Sequence, residues 1–237
     1  MIKLLLLLVT TLKFGKIATT GGTMLLSLLV YATIFGPWYA AGFIGLMFVH
    51  EMGHYVAARQ RGLDVGAPTF IPFVGAYIAL KDMPRDSETE AYIAFAGPFV
   101  GTIAAFAVYF YAREVDSRLW LAVSYSGFFL NFFNLLPMSP LDGGRITAVV
   151  SPRVWLLGAP MMLALLFYSP SPVLIILVLF ALPQLAKAWH FDPQAPENAA
   201  YYNAPPAVRL EYAAMYLGLA ALLGIMTYKV HEMLGGG

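Results

Sequence analysis

Cysteine is absent from this chain, and charge is scarce: Asp, Glu, Lys and Arg make up only 11% of its 237 residues. The first absence excludes a disulfide framework and a cysteine-ligated metal. It does not fix the compartment. The second absence excludes an ordinary soluble domain, in which about a quarter of residues are charged. A net charge of +1 gives nucleic acid nothing to hold. Apolar residues fill the space instead, at 60% of the chain with a mean hydropathy of +0.72. This composition is that of a polytopic membrane protein with little chain left for a soluble domain.

Against that background one group stands out. His50-Glu51-Met52-Gly53-His54 lies inside an apolar run, residues 38–58. Residues four apart share one face of a helix. His50 and His54 can therefore present two imidazoles to one Zn²⁺. Glu51 is placed to face the metal's water without binding the metal, the H-E-x-x-H pattern of zinc hydrolases. The alternative is a solvated or structural histidine pair. Ionisable groups inside a membrane helix are costly and functional by default.

The rest of the chain divides into apolar segments. Residues 1–12 hold a leucine run too short to span, read as an interfacial segment. Spans are expected at about 17–36, 38–58, 90–112, 119–137, 154–168, 173–189 and 208–228, with 154–168 the shortest. Residues 66–80 are apolar but broken by Pro68, Pro72 and Gly75, which suggests a strand or hairpin dipping into the membrane. The expected fold is thus all-α and polytopic, with six to seven transmembrane helices and a short β-hairpin or strand near residues 66–80. It reads as one membrane-embedded domain over 1–237, with a core at about 17–145 and additional helices at about 154–230. A polar loop is expected at 191–206. Trp38, Trp120, Trp155 and Trp189 fit interfacial belts. His190 and His231 sit at span ends and read as interfacial side chains.

Orientation follows from the cations. With the N-terminus in the cytoplasm, only Arg113, Arg118 and Lys229 of the 14 Lys and Arg fall on the far side. Arg59 then marks the cytoplasmic end of the second span. His50, nine residues earlier, lies roughly 10–14 Å deep at the helical rise. The fourth span returns to the same side, and Asp142 follows it. Two histidines and a carboxylate leave one zinc position for water, a catalytic rather than structural arrangement. Pro137 and Pro140 stop the fourth span, and Gly143-Gly144 loosen the chain so that Asp142 can turn back. Asp142 as an N-cap for a helix from Gly143 onward is the alternative. Asn131 and Asn134 either bond substrate backbone or oxyanion, or make interhelical hydrogen bonds. Gly97-x-x-x-Gly101 serves either close helix packing or a gap that admits substrate backbone.

His50-Glu51-x-x-His54, Gly97-x-x-x-Gly101 and Asn134-x-x-Pro137-x-x-x-x-Asp142-Gly143 together resemble the signature motifs of the site-2 protease family, peptidase family M50. The resemblance covers residues 24–145. It implies a core of three spans holding one Zn²⁺ by His50, His54 and Asp142, with Glu51 catalytic. It also implies hydrolysis of peptide bonds within transmembrane segments of membrane-tethered proteins, often transcription factors or anti-sigma factors. The partners implied are a transmembrane protein substrate and the lipid bilayer. The setting implied is a bacterial or archaeal plasma membrane, with the active site toward the cytoplasmic leaflet. No PDZ insertion or CBS tail is recognised, so the regulatory routes of members that carry them are not transferred. Two other classes compete: a non-catalytic membrane adaptor and a metal transporter. An idle adaptor has no reason to keep Glu51 and the ligands. A transporter spreads ionisable groups along a path through several spans, whereas here they converge in one leaflet.

Overall fold

The computed structural model describes residues 20–72, 75–77 and 82–235. The leucine run of residues 1–12 lies outside them. The chain enters through helix α1 (Thr20–Phe35). Gly36, at φ 87°, turns it sharply, and Pro37 opens α2 (Pro37–Gln60), where its missing N–H and fixed φ cost nothing. A hairpin follows. β1 (Thr69–Ile71) and β2 (Gly75–Tyr77) pair antiparallel, with Phe70 opposite Ala76. Phe70 is buried and stacks on Phe48 of α2, with ring centroids 6.4 Å apart. The hairpin is further tied to α1, where Thr20 Oγ1 donates to the Pro68 carbonyl at 2.7 Å.

Asp86 caps α3 (Ser87–Glu114) by accepting from the Thr89 N–H at 2.7 Å, and Ser117 caps α4 (Arg118–Asn134). Then come a short α5 (Asp142–Ala148), a 3₁₀ turn (Pro152–Val154), α6 (Trp155–Tyr168), α7 (Pro172–Trp189), α8 (Pro196–Tyr202) and α9 (Pro206–Met233). α3 is central, packed on α2, α4, α5 and α9. Most of its buried side chains are small, among them Ala91, Ala94, Gly97, Gly101 and Ala105. Lipid tails are as apolar as leucine, so helices associate in a membrane through close packing rather than hydrophobic transfer. Small residues let the backbones approach. At Gly53 of α2 an added methyl would strike the Ala96 carbonyl of α3.

Three expectations need correction, and the span count is met in part. Every segment proposed to span is helical over most of its described residues, and among these residues α3, α7 and α9 are long and apolar enough to cross a membrane. α1 and α6 are apolar but shorter. α4 has 17 residues, and α2 carries the polar site within its apolar face. Trp155 is not interfacial: it is buried, and its Nε1 donates to the Gly144 carbonyl at 2.7 Å. The 191–206 loop contains helix α8. Gly143 and Gly144 do not loosen the chain. They are helical, and a side chain on them would collide with the backbone at Leu135 and at Met138–Ser139. They let α5 fold tightly back on the end of α4.

Candidate metal centre

α2 places His50 and His54 one turn apart, both buried, on the side that faces α3 and α4. Each ring is fixed from behind. His50 Nδ1 meets Asn131 Oδ1 at 2.8 Å, and His54 Nδ1 meets the Ile93 carbonyl at 2.8 Å. A carbonyl can only accept, so His54 Nδ1 carries its ring proton. Asn131 spends its amide N–H on the Gly127 carbonyl at 2.7 Å, which turns its oxygen toward His50. His50 Nδ1 therefore donates as well. Both Nε2 atoms are left with bare lone pairs in the neutral imidazoles. They face each other at 3.1 Å. Asp142 Oδ2 lies 3.3 Å from His50 Nε2 and 3.2 Å from His54 Nε2.

Three buried acceptor atoms thus converge, which is repulsive unless a cation lies between them. A tetrahedron with zinc–nitrogen arms of about 2.0–2.1 Å has edges of about 3.3 Å. The observed separations match that edge, and His₂–carboxylate is a donor set that zinc takes. The residues present fit Zn²⁺, and they are the metal-capable group found among the described residues. Hydrogen bonds from Nδ1 to a carbonyl oxygen are the usual way ligating histidines are oriented. Asp142 is not an N-cap. It is the first residue of α5, the cap position belongs to Leu141, and the Asp142 carboxylate points at the histidines.

A cavity of about 270 Å³ opens beside these atoms. Glu51, Asn134 and Arg145 line it, with Gly75–Tyr77 of β2 on one wall and Val173 and Leu177 of α7 on another. Glu51 is buried yet stands outside the metal-capable group. Asn134 reaches the cavity, with one amide N–H drawn back to the Leu130 carbonyl at 3.2 Å. Asn131 does not reach it, since its amide is committed to His50 and Gly127. Gly97 and Gly101 do not line it either. A methyl at Gly97 would overlap the His54 ring, and one at Gly101 the Asn131 amide. The space that these glycines leave is filled by the site's own side chains, not held open for substrate.

Several participants were not foreseen. The Ile93 carbonyl and Trp155 leave no local sequence signature. Arg145 is different: three residues after Asp142, it had to share that residue's helix face. Its Nε donates to Glu90 Oε1 at 3.2 Å, and the other Glu90 oxygen accepts from Tyr201 OH at 2.6 Å. Burial, then the bond to Glu90, raise the Tyr201 hydroxyl well above the usual tyrosine range, so it stays a donor.

The fold and site together define an integral membrane protein with a buried His₂–carboxylate centre fit for zinc. Residues 38–117 match the sequence profile of peptidase family M50. Rip3 of Mycobacterium tuberculosis is 32% identical over 123 residues, covering 48% of this chain and 30% of its own length. The zinc metalloprotease MJ0392 of Methanocaldococcus jannaschii is 29% identical over 114 residues, covering 44% of this chain and 33% of its own. The chain spans about a third of the length of these relatives. Among solved structures, a site-2 protease from Methanocaldococcus jannaschii aligns with a TM-score of 0.46 at 24% identity, over 70% of this chain and 86% of that one. Over part of its length the chain is thus similar to peptidase family M50 and to relatives named zinc metalloproteases.

Proposed function

We propose that this protein is an intramembrane zinc endopeptidase that hydrolyses peptide bonds within transmembrane segments of membrane-tethered proteins. The observation that carries the reading is the convergence of His50 Nε2, His54 Nε2 and Asp142 Oδ2 beside Glu51 in one cavity. His50, His54 and Asp142 would hold Zn²⁺ through those three atoms, and the ion would supply Lewis acidity there. Glu51 accepts a proton from the attacking water as the carbon–oxygen bond forms, then delivers it to the amine nitrogen as the carbon–nitrogen bond breaks. Asn131 and the Ile93 carbonyl keep the two imidazoles in the tautomer that faces the metal.

A helical peptide bond is shielded, so the substrate must unwind first. β2 lines the cavity and pairs on one edge with β1. Its other edge is suited to hold an extended substrate by main-chain hydrogen bonds. The chain crosses the membrane six to seven times in this reading. Positive charge at Arg59 and Arg61 supports a site in the cytoplasmic leaflet, and the setting we propose is a bacterial or archaeal plasma membrane. The partners are the transmembrane substrate and the bilayer.

The test is cleavage of a membrane-anchored reporter helix, measured beside zinc content on the same purified samples. Glu51→Gln should keep zinc near one per chain and lose at least ~10²-fold in turnover. Asp142→Asn should lose both metal and activity. Full zinc and full cleavage in Asp142→Asn would remove the third ligand and sink the site. In the same assay Ala76→Pro should slow cleavage with zinc retained; an unchanged rate rules out the strand edge.

A further inference from the structure

We infer that Arg145 holds the carbonyl oxygen of the bond being cut, and that Glu90 and Tyr201 are the residues that position it. The inference rests on the proteolytic reading above.

Hydrolysis of an amide builds negative charge on its carbonyl oxygen. A site that works by this route needs a preorganised donor aimed there. Asn131, a candidate on sequence grounds, is committed to His50 and Gly127. Asn134 lines the cavity with one amide N–H drawn back to the Leu130 carbonyl and one left to donate, but it is neutral and offers no charge to match an oxyanion. Arg145 lines the same cavity as Glu51 and the three metal-facing residues. Of its five N–H groups, the one on Nε is bonded to Glu90. Nη1 and Nη2 have no partner among the described residues.

The guanidinium is nevertheless held in place. Glu90 fixes its Nε edge, and Tyr201 fixes the second Glu90 oxygen. Both Arg145 and Glu90 are 23% exposed, so the pair is sheltered from water and from screening. Three separate elements contribute: α5 the arginine, α3 the carboxylate, and α8 the tyrosine. A cation that only joined α3 to α5 would have no need of a third element to aim it. The cavity is also rich in carboxylates, from Glu51 and Asp142, which repel a developing oxyanion. Arg145 is the cation lining that cavity, and it offsets them.

The experiment uses the full chain in detergent or vesicles, with the reporter helix and with a peptide phosphonate. The phosphonate sets a tetrahedral anion at the position of the cut bond. In Arg145→Gln, kcat should fall by ~10²-fold or more while KM stays within about threefold, since the contact strengthens in the transition state. Phosphonate binding should weaken at least about tenfold, with zinc content as in the wild type. Tyr201→Phe should move kcat and phosphonate affinity the same way by less. Guanidinium ion added to Arg145→Ala should restore part of the rate, and ammonium should not, because only the former has the planar fork. Raised KM with unchanged kcat, or unchanged phosphonate affinity, overturns the inference. Loss of zinc or of folded protein in both Arg145→Gln and Arg145→Lys assigns the arginine to structure and overturns it too. Wild-type cleavage that depends on Glu51 but not on Arg145 removes this inference alone. A wild type that neither cleaves nor binds the phosphonate removes the proteolytic reading and this inference with it.

Discussion

α3 and α7 have the same mean hydropathy over their most apolar stretch, 1.8, yet 39% of that stretch is buried in α3 and 17% in α7. Apolarity does not separate them; side-chain size does. α3 turns Ala94, Gly97, Gly101 and Ala105 toward its neighbours. α7 turns Ile175, Ile176, Leu179, Phe180 and Leu182 outward. A leucine gains nothing by leaving lipid for a protein interior, whereas two backbones brought close gain dispersion contacts along their length. The helix with small residues therefore becomes the centre, and the site on α2 and α5 is packed against it. The helix with bulky ones meets the membrane and lends only Val173 and Leu177 to the cavity wall.

Substitutions on the two helices should differ accordingly. The largest effect belongs to Gly97→Ala. One added methyl must displace the His54 imidazole, so zinc affinity should fall about 10–100-fold, the range seen when ligand support is lost. Zinc titration checks this, and unchanged affinity would mean that the α2–α3 contact is looser than the packing shows. Next comes Trp155→Phe, where the chain leaves the site for α6. It removes one of two side-chain donors to the buried Gly144 carbonyl on the helix that carries Asp142, Thr147 Oγ1 being the other at 3.3 Å, at a cost of about 0.5–1.5 kcal/mol. Thermal unfolding in detergent should register the loss. The smallest effect is Leu179→Val on the outer face of α7, where the side chain is 60% exposed. Stability should stay within about 0.5 kcal/mol. A loss as large as that of Trp155→Phe would show that α7 is covered by protein, not lipid, and the comparison would fail.

Much of the site was legible because its signals are local. His50 and His54 lie one helical turn apart, so their convergence needs only a helix. Asp142 was legible through Pro137 and Pro140, which end α4 and turn the chain. The hairpin was legible through its prolines and Gly75 in an otherwise apolar stretch; its residues 73–74 and 78–81 lie outside those described. The roles of Asn131, Gly97 and Gly101 were not legible. A polar residue in an apolar helix signals a partner without naming it, and a small residue signals a close approach without saying to what.

The sequence by itself determined a helical membrane protein with a zinc-type motif on one helix face. It also placed a carboxylate after a helix stop, because periodicity and chain-breaking residues act over a few positions. The tertiary structure alone decided which groups stand behind the ligands. Asn131 is 81 residues from His50, and Ile93 is 39 from His54. It alone brought Glu90 to Arg145 and Tyr201 to Glu90, across separations of 55 and 111 residues. No local pattern encodes such pairings. The contacts behind the histidines exist because small side chains let α2, α3 and α4 close on one another, and the Arg145–Glu90–Tyr201 chain because α5 and α8 fold back onto α3, where the polar groups had to find partners.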